Sequence, residues 1–292
     1  MAQTADQLLR SGAKRLDDAG IMPPRLDSSI LLAHAMGIER QELLFSPTTD
    51  VGAAQAELFE TYIIQRLKRM PISHILGERE FWSLPFKVTA DTLAPRPDSE
   101  TLVEAALEFA EQYHSLSAPL RILDLGTGTG CLLLALLSEC ENAQGVGVEK
   151  SKAALAVAAE NARNLGLEER TKFIEADFMA DMSWGQEFDI IVCNPPYIAL
   201  DDRARLDPEV RDFEPDMALY GGEDGLSYYR SLGPVLSRCL GPQGRTFLEV
   251  GIGQSGPVMG MMTQAGAENI DVHQDLAMID RCVSFAFLSN SE

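Results

Sequence analysis

From residue 120 onward, short apolar segments alternate with amphipathic ones, and few folds accept that pattern. Segments 121–125, 146–149, 172–176, 188–193 and 245–250 read as strands, while 130–140, 152–165, 226–240 and 255–266 read as helices. Strands this short and this continuously apolar are covered on both faces, which in a βαβ succession means a parallel sheet with helices on either side. Segments 269–273 and 281–288 read as strands with no helix between them. A hairpin at the sheet edge follows, with the last strand antiparallel to the others. The expectation is a doubly wound α/β domain of seven mostly parallel strands.

The first seventy residues follow a different rule. Leu8, Leu9 and Leu16, then Ile30, Leu31 and Leu32, recur near helical spacing. Pro23-Pro24 and Ser46-Pro47 interrupt them as breaks between helices. No strand-like alternation occurs there, so a small helical bundle is predicted. Residues 71–97 change character again: Ile75 to Trp82 and Phe86 to Val88 flank Leu84-Pro85, which predicts a β-hairpin linker turning at that dipeptide. Pro95-Arg96-Pro97-Asp98-Ser99-Glu100 then opens a helix, with Asp98 or Ser99 as its cap and Leu102, Val103, Ala106, Leu107 and Ala110 as its apolar stripe. The predicted domains are 1–70, a linker 71–97, and 98–292.

Charge and composition exclude several function classes. The 292 residues are 46% hydrophobic and 23% charged, a globular balance. The longest apolar run, Cys131 to Leu137, falls far short of the ~20 residues that span a bilayer. Met1 to Asp6 lacks a basic stretch leading into an apolar core, which predicts no secretory signal and a cytoplasmic location. Five scattered cysteines and four scattered histidines form neither C-x-x-C nor H-E-x-x-H, so no metal is expected. Net charge is −20; residues 1–80 carry nine Lys/Arg and eleven Asp/Glu, leaving −18 on the remainder. Proteins that grip nucleic acid present Lys and Arg to its phosphates, and this surface would repel a polyanion.

Asp124-Leu125-Gly126-Thr127-Gly128-Thr129-Gly130 joins the first strand of the alternating region to its helix. Alternate glycines permit a tight turn and bring bare backbone up to a ligand, at the strand ends where open α/β sheets bind their ligands. A dinucleotide fingerprint would need G-x-G-x-x-G; counted from Gly126 the third glycine falls on Cys131, and from Gly128 on Leu133. A cofactor without a diphosphate fits better. Glu149 ends the next strand, where a carboxylate can accept from both hydroxyls of a ribose. Asp124 can orient the loop or meet an ammonium group. Asp177 and Phe178, after the third strand, offer an acceptor and a ring against which an adenine could stack.

Asn194-Pro195-Pro196-Tyr197 follows the fourth strand and therefore shares the sheet edge of the glycine loop. An amide nitrogen is planar and a poor nucleophile because its lone pair is delocalised. Hydrogen bonds from its N–H groups to the Asn194 side-chain oxygen and the Pro195 carbonyl favour the charge that develops on nitrogen over the neutral ground state. Proline presets the carbonyl direction, and Tyr197 can lie flat on a planar target and align it for in-line attack. The chemistry indicated is methyl transfer from S-adenosylmethionine to a planar nitrogen, on a class I methyltransferase fold. The nitrogen can belong to a protein amide or, as the alternative, to adenine or cytosine in nucleic acid.

The chain resembles the HemK-type protein-(glutamine-N5) methyltransferases that modify peptide chain release factors. The resemblance runs through His74-Ile75-Leu76-Gly77-Glu78-Arg79-Glu80-Phe81-Trp82, the Pro95 to Glu100 entry, the 126–130 loop, Asn194 to Tyr197, and Glu214 to Leu226. It implies S-adenosylmethionine held by Gly126, Thr127, Gly128, Thr129, Gly130, Glu149 and Phe178, and a substrate glutamine held by Asn194, Pro195, Pro196 and Tyr197. The glutamine is that of the Gly-Gly-Gln motif in a class I release factor, which the N-terminal bundle helps to hold. A sister branch methylates a ribosomal protein, but Arg96-Pro97-Asp98-Ser99-Glu100 is more similar to the release-factor branch. Two positions depart from the family pattern: Glu149 stands where many relatives have aspartate, and Ala94 where isoleucine is usual. A monomer without direct nucleic-acid or membrane contact is expected.

Overall fold

The computed structural model describes residues 3–46, 48–180 and 187–287. Met1, Ala2, Pro47 and Leu288, all drawn on in the sequence reading, lie outside the described residues. The chain forms two compact units: Met1–Glu78 together with Asp207–Phe213, and Arg79–Leu206 together with Glu214–Glu292.

The first unit is helical. It contains α1 (Ala5–Asp18), α2 (Pro24–Met36), α3 (Arg40–Phe45), α4 (Ala53–Leu67) and α5 (Ile72–Leu76). Thr4 and Gln7 cap α1 reciprocally, each side chain taking the other's backbone N–H. Gly12 lets α1 approach its neighbours, since a Cβ there would stand 2.6 Å from Ser28 Oγ and 2.8 Å from the Phe59 ring. Leu16, Ile21, Leu31, Leu32, Phe59 and Ile63 fill the core. Arg66 is buried, and its guanidinium reaches Asp27 at 2.8 Å and Glu209 at 2.9 Å. Glu209 belongs to the short turn Pro208–Arg211, so a segment distant in sequence completes this unit.

Where the chain passes into the second unit it forms a hairpin of β1 (Glu78–Phe81) and β2 (Leu84–Lys87). Its turn is Trp82-Ser83, both at positive φ, and Leu84-Pro85 lies within β2, contrary to the turn position expected from the proline. Glu100 accepts from the Trp82 backbone N–H at 2.8 Å and Glu139 from its indole at 2.9 Å, which holds a bulky residue in a backbone region that favours glycine.

A seven-stranded sheet follows, built from β3 (Arg121–Leu125), β4 (Gln144–Glu149), β5 (Thr171–Glu175), β6 (Phe188–Cys193), β7 (Leu240–Glu249), β8 (Ala267–Gln274) and β9 (Asp280–Phe287). Their order is β8-β9-β7-β6-β3-β4-β5. All pairings from β5 to β7 are parallel, and β9 runs antiparallel to both β7 and β8. This is the expected doubly wound fold, with the last strand set one place in from the edge. Helices α6 (Glu100–Tyr113), α7 (Cys131–Glu139), α8 (Lys152–Asn164), α9 (Ser227–Cys239) and α10 (Ser255–Gln264) complete it. Two apolar layers result, one containing Leu133, Ile190 and Phe247, the other Leu123, Ile191 and Leu248. The chain runs from β3 towards β4 and β5, then crosses back to β6 and β7, so β3 and β6 flank the switch point where ligands bind in such sheets.

Neither Asp98 nor Ser99 caps α6 as expected. Both fall in a 3-10 turn, Pro97–Ser99, that precedes the helix, and Ser99 makes no capping bond. Asp98 instead pairs with Arg281 at 2.6 Å, and Ser99 is buried.

Candidate active site

The loop after β3 and the loop after β6 open into one cavity of about 380 Å³ at the switch point. Gly126, Gly128 and Gly130 all have positive φ, the conformation for which the sequence supplied glycine. The loop is held from beneath, as the Gly126 and Thr127 N–H groups donate to the Val148 carbonyl at 2.8 and 3.0 Å. Glu149 is fixed by backbone too: Oε2 accepts from Gly128 N–H at 3.1 Å and Oε1 from Ser151 N–H at 2.8 Å. Each oxygen retains a lone pair for a ligand.

Among the positions singled out in the sequence, Gly126, Thr127, Gly128, Thr129 and Glu149 line the cavity. Asp177, Phe178, Asn194, Pro195 and Pro196 line it as well. Asp124, Gly130 and Tyr197 are not among the lining residues. Asp124 is buried beneath the loop, where Thr127 Oγ1 donates to its Oδ2 at 2.6 Å and its Oδ1 has no partner. Burial pushes this carboxyl up to about 7. Asp177 behaves oppositely: a hydrogen bond from Lys150 at 2.9 Å holds its carboxyl below the usual range. The Phe178 ring is 6.0 Å from that of Tyr228, another lining residue.

The tetrapeptide is braced by the 214–226 segment and by α10. The Ile198 N–H donates to Leu219, the Gly221 N–H to Ile198, and the Leu200 N–H to Gly222. A Cβ on Gly221 would stand 2.4 Å from the Pro196 carbonyl oxygen, and one on Gly225 2.2 Å from that of Tyr197. Gln254 Nε2 also donates to the Tyr197 carbonyl at 3.0 Å. The backbone that follows Asn194 is thus held by both segments. Glu214, buried, takes the Ala94 N–H at 3.1 Å and the Arg96 guanidinium at 3.2 Å, which fixes the 91–96 strip along the cavity wall.

Sequence reasoning passed over Glu249 and the part played by Ser99. Glu249 ends β7 and is 2% exposed. Tyr197 donates its hydroxyl to Glu249 Oε1 at 3.3 Å, Glu249 Oε2 has no partner, and the buried Ser99 hydroxyl accepts from Asn194 Nδ2 at 3.4 Å. Burial pushes Glu249 up to about 7, and burial, reinforced by the nearby carboxylate, raises the Tyr197 hydroxyl well above its ordinary value. The available signal was strand register. Cys193 pairs with Leu248, so Glu249, the last residue of β7 and still paired with Cys282 of β9, comes one step beyond the register position from which Asn194 departs. Among the described residues no group of three His, Cys, Asp or Glu is placed to hold a metal ion, and no helix is long and apolar enough to cross a membrane.

A family description for the PrmC N-terminal domain matches residues 7–77, and one for a methyltransferase domain matches 116–220. A release factor glutamine methyltransferase of Rhodospirillum rubrum is 43% identical over 277 residues, covering 95% of this chain and 83% of the relative. Another, from Cereibacter sphaeroides, is 43% identical over 280 residues, covering 96% and 97%. The chain belongs to the release factor glutamine methyltransferase family. The hMettl16 catalytic domain superposes with a TM-score of 0.55 at 15% identity, covering 81% of this chain and 82% of that one, a likeness of fold alone.

Proposed function

We propose that this chain transfers a methyl group from S-adenosylmethionine to the side-chain amide nitrogen of the glutamine in the Gly-Gly-Gln motif of a class I peptide chain release factor. It does so as a cytoplasmic monomer serving translation termination, without direct contact to nucleic acid or membrane. The observation that carries the reading is one cavity shared by the glycine loop, Glu149 and Asn194-Pro195-Pro196, in a chain of this family.

The residues suit the cofactor. A sulfonium and an ammonium favour acidic walls, which Glu149 and Asp177 supply. Gly128 leaves its Cβ side open, with only the Gly126 carbonyl nearby at 3.9 Å. Glu149 would take the ribose hydroxyls, Phe178 would face the adenine with Asp177 beside it, and the 126–130 loop would follow the methionyl chain above Asp124. Bound S-adenosylmethionine supplies an electrophilic methyl.

The chain's own residues ready the nucleophile. The Asn194 side-chain oxygen and the Pro195 carbonyl accept the two N–H groups of the glutamine amide and draw electron density onto its nitrogen. These contacts strengthen as positive charge develops there, so they lower the barrier more than they tighten ground-state binding. Tyr197 acts from below the turn, anchored on Glu249, to hold the tetrapeptide in register. The helical unit would hold the body of the release factor.

The test is mass spectrometry of a release factor co-expressed with this chain. One added methyl on the Gly-Gly-Gln peptide is expected, and it should be absent without the enzyme. Tritium from labelled cofactor appearing in RNA or DNA, with none in the release factor, would overturn the reading.

A further inference from the structure

S-adenosylmethionine is not cationic throughout, since its methionyl end carries a carboxylate beside the ammonium. Glu149, Asp177 and Phe178 suit the ribose, the adenine and the positive groups, and none of them suits that anion. The glycine loop offers it little. The Gly126 and Thr127 N–H groups donate to Val148, that of Gly128 to Glu149, and that of Gly130 to the Thr127 carbonyl, so four of the five amides from 126 to 130 are committed within the chain. A charge taken into a cavity without a counter-charge is costly, so the carboxylate calls for a side-chain cation.

Among the described residues two cations line the cavity, Lys150 and Arg96. Lys150 is taken by Asp177 at 2.9 Å. Arg96 belongs to a strip that runs on to Ser99, whose Oγ accepts from Asn194 Nδ2 at 3.4 Å, so this strip lies beside the tetrapeptide. The sulfur bears three arms; with adenosine against Glu149 and the methyl towards Asn194, the wall that Arg96 lines is left for the methionyl arm. The Arg96 guanidinium is held but not used up. Its Nη2 meets Glu214 at 3.2 Å, and Glu214 is buried and fixed by the Ala94 N–H. Arg96 Nε and Nη1 have no partner among the described residues, and the side chain is 37% exposed. A guanidinium presents its donors in a planar fork that matches a carboxylate. We propose that Arg96 binds the methionyl carboxylate of the cofactor, with Glu214 as the positioning residue that aims it.

The inference rests on S-adenosylmethionine being the cofactor, and its test needs no release factor. Titration calorimetry at pH 8 compares S-adenosylmethionine with decarboxylated S-adenosylmethionine, which keeps the adenosine, sulfonium and amine and lacks only the carboxylate. The wild type should prefer the carboxylated compound by roughly 10- to 100-fold, the scale of a charge-assisted hydrogen bond. In Arg96→Met the Kd for S-adenosylmethionine should rise by that factor while the Kd for the decarboxylated compound stays within a few-fold, so the preference disappears. Arg96→Lys keeps the charge without the fork and should fall between the two. Because Arg96→Met leaves Glu214 buried without its cation, the double variant Arg96→Met/Glu214→Gln is measured beside it and should lose the same preference. A residue that only braced the cavity wall would weaken both compounds alike, and that result overturns the proposal. So does a preference that survives intact in both variants, as backbone amides at the start of α7 would give. If the wild type binds neither compound, the cofactor reading falls and this inference with it. If it binds S-adenosylmethionine and the preference does not move, this inference alone falls.

Discussion

Gly128 and Glu149 meet through one hydrogen bond, from the glycine N–H to carboxylate Oε2 at 3.1 Å, and it ties the cofactor loop to the end of the adjacent strand. The acid is therefore both a lid on the loop and a candidate ligand for ribose. Glu149→Ala should leave the Gly128 and Ser151 N–H groups without a partner and remove a charged acceptor. The expected rise in cofactor Kd is roughly 10- to 100-fold, as for loss of a charge-assisted hydrogen bond. Titration calorimetry with S-adenosylmethionine measures it, and the rate at saturating cofactor should fall much less.

Asn194→Ala should show the reverse pattern. The acceptor it removes acts on the target nitrogen, so transfer should drop by about two to three orders of magnitude, the cost of losing one preorganised group at a site of developing charge. Cofactor Kd should stay within a few-fold. Single-turnover kinetics beside calorimetry separate the two effects, and an unchanged turnover would remove the mechanism.

Gly221→Ala tests the brace on the tetrapeptide. The new Cβ would lie 2.4 Å from the Pro196 carbonyl oxygen and 2.7 Å from that of Gly225, both backbone atoms that cannot swing aside. The turn must shift, and the methylation rate should fall by about two orders of magnitude, as displacements near 1 Å do. Gly256→Ala is the control, since nothing lies within 4 Å of its added carbon. A Gly221→Ala variant as active as the control would contradict the bracing role.

Asp124 and Glu249 set a pH dependence of stability in the absence of ligand. Burial raises both carboxyls to about 7 in the folded chain, from ordinary values near 4. The folded state thus holds these protons more tightly than the unfolded one. Their contribution is fully present below about pH 4 and is lost as pH rises through about 7. Asp124→Asn keeps the shape without the charge. Its Tm should exceed that of the wild type at pH 8, and the difference should shrink towards pH 5, by an amount on the order of a few kcal/mol at most. Thermal melts of both proteins across that range measure the difference directly.

How much of this was legible follows from which signals are local. The 126–130 loop announces itself because positive φ demands glycine, and Asn194 because a strand leads straight into it; both need only neighbours in sequence. Glu249 has no such local mark. Its role depends on β7 pairing with β6 in a register that brings Leu248 beside Cys193, a non-local fact. The hairpin turn was misplaced because proline is a strong turn signal, whereas Trp82 adopts positive φ only with Glu100 and Glu139 bonded to it from elsewhere in the fold. Ser99 has the composition of a helix cap, yet it is buried and its hydroxyl accepts from Asn194 Nδ2. Glu209 likewise carries no sequence signal that it would join the helical unit.

That last placement yields a prediction about the helical unit. Arg66 is buried against Asp27 and Glu209, and burial pushes Asp27 up although the guanidinium opposes the shift. Removing the arginine leaves two acids without their shared cation, and breaking a buried pair from one side costs about 3–5 kcal/mol. Arg66→Met should therefore destabilise this unit strongly. Arg69→Met should cost far less, because Arg69 is about a third exposed and meets Glu209 only at 3.4 Å. Adding Asp27→Asn to Arg66→Met should recover part of the loss, since one unpaired charge is gone. Hydrogen exchange read by mass spectrometry resolves the effect by region. Peptides from α1, α2 and α4 should exchange faster in Arg66→Met while those from β3, β4 and β6 keep their protection. Equal protection of α2 and α4 in Arg66→Met and the wild type would show that the buried pair contributes nothing to this unit.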